Sequence, residues 1–98
     1  MYQEPWSDIS EYQDGHRSAI KSELLKELGK NHDLFGVELT VLAKRENCDD
    51  ILVASGSSYF IVHLTWSGRA ETTPYPLTVK LLSLADLKER LKQDSEQY

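Results

Sequence analysis

The sequence predicts an α+β domain: a four-stranded antiparallel meander with one helix before it and one after it. Two patterns and one absence lead there. Near both ends of the chain apolar residues recur at helical spacing, whereas in the middle they alternate with polar ones at the period of a half-buried strand. No helical segment interrupts the strands, so the crossover units of a parallel sheet are missing. A chain of 98 residues can bury one core of this kind and not two.

Residues 1–14 read as a loosely attached acidic arm and residues 15–98 as the single domain. Glu4, Asp8, Glu11 and Asp14 precede the first basic residue, and aliphatic side chains are scarce there. Trp6, Ile9 and Tyr12 are spaced to dock as one helical turn. From His16 to Leu28 the pattern is helical: Ile20, Leu24 and Leu28 form a stripe widened by Leu25. Arg17, Lys21, Glu23, Lys26 and Glu27 fall largely outside that stripe, and Gly29 ends the helix.

The first strand is expected where Val37, Leu39, Val41 and Ala43 alternate with Glu38, Thr40, Leu42 and Lys44. Ile51 to Ala54 is a second strand, Tyr59 to Trp66 a long third, and Thr78 to Leu82 a fourth. In the third, Phe60, Val62, Leu64 and Trp66 share a face. Pro74 and Pro76 keep the preceding loop out of any central strand. Ser83-Leu84-Ala85-Asp86 resembles a capping box opening the last helix. Leu84, Leu87 and Leu91 supply its stripe, and Gln93 to Tyr98 is expected to fray.

Turn parity sets two registers. Placing Ser55 opposite Ser58 brings Val53 to Phe60 and Ile51 to Val62 on one face. Leu52 then meets Ile61 and Asp50 meets His63 on the other. A five-residue turn from Arg45 to Asp49 would put Lys44 opposite Asp50 and Leu42 opposite Leu52. The second face would thus carry a Lys44–Asp50–His63 row beside a Leu42–Leu52–Ile61 row, with Tyr59 and Thr65 at the ends. Left uncovered, that face is a binding or homodimer surface; covered by a helix, its apolar row is core.

Composition narrows the function classes. Eleven Lys and Arg against sixteen Asp and Glu give −5, a balance that argues against nucleic acid as a partner. No apolar run reaches bilayer length, and the first residues lack the basic and apolar regions of a signal peptide. The single cysteine, Cys48, leaves no internal disulfide or cysteine zinc cage. His16, His32 and His63 are scattered, so no metal and no cofactor is expected, and the chain reads as cytoplasmic.

Cys48, Asp50 and His63 invite comparison with a thiol triad, but no nucleophile signature accompanies them, and a turn cysteine beside an ion pair is the plainer reading. Asp49 shares that turn. Trp66, Arg69 and Tyr75 belong to the residue types that anchor protein interfaces, and they flank the proline-stiffened loop.

Cys48-Asp49-Asp50-Ile51-Leu52-Val53, then Val62-His63-Leu64-Thr65-Trp66-Ser67-Gly68 and Pro76-Leu77-Thr78, resembles a family of small bacterial proteins of unassigned function. Leu34-Phe35-Gly36 resembles the segment before that family's first strand, and the likeness spans about residues 30–80. It implies a bacterial setting and directs attention to Cys48, Asp49, Asp50, His63 and Trp66. The expected function is non-enzymatic binding of another protein, immunity-like, with an acidic surface capping a basic partner. The alternative is a small-molecule site or enzyme built on His63 and Asp50.

Overall fold

A computed structural model describes residues 2–98. The chain runs β1 (Trp6–Asp8), a 3-10 turn (Ile9–Glu11), α1 (Asp14–Glu27), β2 (Thr40–Arg45), β3 (Asp50–Ser55), β4 (Ser58–His63), β5 (Thr78–Leu81) and α2 (Leu84–Glu96). The strands form one antiparallel sheet in chain order, β1-β2-β3-β4-β5. The class is α+β as expected, with five strands rather than four.

The extra strand comes from the segment expected to be an arm. Trp6 is 2% exposed and pairs with Arg45 across β1 and β2, and the Glu46 amide donates to the Pro5 carbonyl at 2.6 Å. Burying an indole supplies more apolar contact than any other side chain could in so short a strand. Asp8 then caps the 3-10 turn by accepting from the Ser10 amide at 2.9 Å, which holds its carboxyl below the usual carboxylate range.

The β3–β4 register is the one parity predicts, from Ser55 opposite Ser58 to Asp50 opposite His63. Gly56 takes φ 58°, the left-handed conformation that a two-residue hairpin turn requires. The β2–β3 register is not as predicted. A bulge between Val41 and Ala43 moves Ala43 opposite Leu52 and Lys44 opposite Ile51. Lys44 therefore leaves the Asp50 face, and Arg45 takes its place.

Both faces of the sheet are covered. Ile20 and Leu24 of α1, with Leu28 just past its end, pack on Ile51, Val53 and Val62, joined by Leu34, Leu39 and Leu64. Leu87 and Leu91 of α2 pack on Ala43, Leu52, Ile61 and Leu81, together with Trp6. The expected Leu42–Leu52–Ile61 row becomes Ala43–Leu52–Ile61 because of the bulge, and it is core under α2 rather than an open face, with Leu42 partly buried beside it.

Four local expectations fail, three of them because polar anchoring overrides the apolar stripe. Leu25 is exposed while Glu23 and Glu27 are buried on α1. α2 continues to Glu96 instead of fraying, because Asp94 is buried and bonded, and Leu84 stays exposed at its start. β4 ends at His63, so Trp66 leaves the strand and lies 42% exposed.

Candidate functional site

Two polar clusters and one groove stand out. The first is a row on the α2 side of the sheet. Register places Trp6, Arg45, Asp50 and His63 side by side across β1 to β4. His63 Nδ1 lies 2.7 Å from Asp50 Oδ1, while Arg45 sits 3.8 Å from Asp50 and 3.7 Å from Asp94. Asp94 also accepts from the Trp6 indole at 2.9 Å and from Arg90 at 3.3 Å. Asp50, Arg45, Asp94 and Arg90 alternate in sign, the arrangement that makes ion burial tolerable. The row's outer end is His63, whose side chain is half exposed.

Cys48 stands beside this row without joining it to His63. Burial pushes its thiol up, although the Asp50 amide pulls the other way. A nucleophilic cysteine needs the opposite shift. Lys44 instead donates to the carbonyls of Arg45 (3.3 Å) and Cys48 (3.4 Å), tying the turn, and Asp49 lies exposed there with its carbonyl accepting from the Leu64 amide.

The second cluster is a carboxyl clamp that the sequence did not reveal. Glu27, 0% exposed, accepts from the Thr65 amide on Oε1 and the Trp66 amide on Oε2, both at 2.8 Å. Glu23 accepts from the Gly68 amide at 2.8 Å. Burial, reinforced by the neighbouring Glu23 carboxyl, pushes the Glu27 carboxyl up; the hydrogen bond from Glu27 holds Glu23 down. Hydroxyls of Ser67 and Thr65 stabilise the Glu71 carboxylate at the rim and lower it.

What the clamp holds is unusual. Trp66 has φ 59°, a conformation that costs a bulky L residue of order 1 kcal/mol and more. One signal for the clamp was available: Glu23 and Glu27 follow Ile20 and Leu24 by one helical turn and lie on the buried face.

A groove of about 560 Å³ opens on the α1 side, floored by Phe60 and Val37 and bordered by His32, Pro74, Leu77 and Lys80. His32 accepts the Leu34 amide on Nδ1 at 3.0 Å, so Nε2 carries the proton and faces the Pro76 carbonyl at 2.9 Å. The groove is on the opposite face from His63.

The expected site residues therefore separate. Asp50 and His63 are together, with Arg45 in place of Lys44. Tyr59 packs at the edge of the α2-side core. Trp66, Arg69 and Tyr75 are exposed in the loop between β4 and β5, away from that row in the sheet. Among the described residues no group of three or more His, Cys, Asp or Glu side chains could hold a metal ion, and no helix is long and apolar enough to cross a membrane. Scans of protein-family models, curated proteins and solved structures found nothing that matches this chain, so its function rests on its own geometry.

Proposed function

We propose that this chain binds another protein through the β4–β5 loop, with Trp66 as its anchor and Arg69 and Tyr75 beside it. The observation that carries the reading is the clamp: a fully buried carboxyl on α1 holds an exposed indole in a strained backbone conformation. Strain of this kind clusters where a side chain must be presented in one pose. A Trp held ready pays less entropy on docking, and Trp, Arg and Tyr are the side chains that dominate interface energetics.

The partner we favour is basic, in an immunity-like or antagonist role. Residues 1–50 carry six Lys or Arg and eleven Asp or Glu, so the chain's whole −5 lies there. That half includes α1, whose Glu23 and Glu27 underlie the loop. Such a field speeds capture of a cationic surface.

The test is affinity capture from a lysate at low and high salt, with Trp66→Ala in parallel and read by mass spectrometry. A salt-sensitive basic partner lost with Trp66→Ala supports the reading; capture indifferent to Trp66 overturns it. Reversing the exposed Glu4 and Glu11, but not the capping Asp8, should slow association. A small-molecule site at His63 is the second reading, favoured by one observation: Asp50 occupies Nδ1 and the ring remains half exposed, leaving Nε2 for a ligand.

A further inference from the structure

β5 is the last strand of the sheet, and among the described residues no strand pairs with its outer edge. The His63 amide donates to the Leu77 carbonyl at 2.9 Å, which makes these two a hydrogen-bonded pair. Antiparallel ladders alternate such pairs with pairs whose groups point away. Register then gives Val79 and Leu81 to β4, and turns the N–H and C=O of Thr78 and Lys80 outward. The edge is exposed: Val79 is 44% and Leu77 48% accessible, and Leu82 and Leu84 continue the apolar strip to 76% and 44%.

Unpaired edges of this kind are templates for another strand. We propose that the occupant is a second copy of this chain, pairing β5 to β5 antiparallel about a two-fold axis at Val79. The sequence of the strand is self-complementary in this register. Thr78 of one copy faces Lys80 of the other, twice, and these are the residues whose backbone groups point outward. Val79 meets its own copy, and Leu77 meets Leu81.

The neighbouring registers are worse for stated reasons. Centring on Lys80 sets two ammonium groups opposite each other. Centring on Thr78 brings Pro76, which has no N–H, opposite Lys80. Centring on Leu81 runs past the strand's last residue. Lys80 thus selects the register rather than blocking the edge. A seam of five residues from each copy, Leu77 to Leu81, is short, so association is weak and concentration-dependent. The result is a ten-stranded sheet with two Trp66 loops.

The test is sedimentation equilibrium of the full chain from micromolar to near-millimolar concentration, with amide exchange at the same concentrations. The expected result is a mass rising from 11.2 kDa toward twice that value, with Thr78 and Lys80 amides gaining protection as it rises. Lys80→Pro removes one outward N–H without touching the β4 ladder and should leave a monomer. Val79→Lys, which sets like charges face to face, is the second variant should proline disturb folding. A wild type that stays monomeric throughout overturns the proposal, including one that pairs this edge only with a different protein. So does a dimer that survives both variants with Thr78 and Lys80 unprotected.

Discussion

Replacing Glu27 with alanine should cost about 2–4 kcal/mol, and the reasoning behind that figure is specific. Glu27 accepts two amide hydrogen bonds at 2.8 Å. Bonds that end on an ionisable carboxyl contribute ~1.5–3 kcal/mol each. The sum is discounted because Thr65 and Trp66 are exposed, so their freed amides reach water once the loop relaxes. Truncating a fully buried side chain adds a cavity term that offsets part of that discount. At ~4–8 °C per kcal/mol for a domain of this size, Tm should fall by about 8–32 °C. Urea unfolding followed by circular dichroism measures the loss, and amide exchange at Thr65, Trp66 and Gly68 shows whether the loop has been released. Glu27→Gln keeps one acceptor and turns an amide group against a backbone N–H, so it should fall between alanine and wild type. A loss below ~0.5 kcal/mol with unchanged exchange would refute the clamp.

The clamp also has a pH signature. Glu27 is shifted up in the folded chain, so the stability it contributes is present at low pH and fades as pH rises through its folded value. Wild type should therefore lose stability relative to Glu27→Gln over that interval, and parallel curves would exclude the shift. Trp6→Phe keeps the ring but removes the donor to Asp94; a loss of ~1–2 kcal/mol and faster exchange from Gln93 to Gln97 are expected, and unchanged exchange would count against the anchor. Gly29→Ala should cost ~1–3 kcal/mol, because a Cβ would meet the Glu71 carbonyl oxygen at 2.8 Å, and an undiminished urea midpoint would show that the segment can yield.

The legible parts of this fold are those governed by local periodicity. β3 and β4 are joined by a two-residue turn, so parity leaves one register, and all six pairs follow. The β2 bulge escaped the same argument because Val41 and Ala43 are both apolar: alternation reads smoothly through a position where the backbone gains a residue. β1 is three residues long, too short for a period, and its anchor lies 88 residues away. Of the site, the Asp50–His63 contact was legible because it depends only on the sound register. The clamp was not, since a charged helix residue is ordinarily solvated, and here the loop's own amides replace water. Strand parity puts Trp66 on the face of Val62 and Leu64, but the strand ends three residues earlier, and Glu27 captures the backbone beyond it at Thr65 and Trp66.

The strands lie in the sheet in chain order, and β2–β3 and β3–β4 close short turns, so folding can proceed outward from either hairpin, while β1 reaches β2 only across α1. The Trp6–Asp94 bond spans farther still, a clasp between the two ends of the strip. It cannot close until the last turn of α2 is in place, so until then Trp6 packs with its indole N–H without this acceptor. Once closed, it makes the two ends mechanically one. A force that separates the ends of the chain must open the clasp and peel β1 before it loads the central strands, and a cut within α2's last turn would loosen an edge strand at the far end of the sequence.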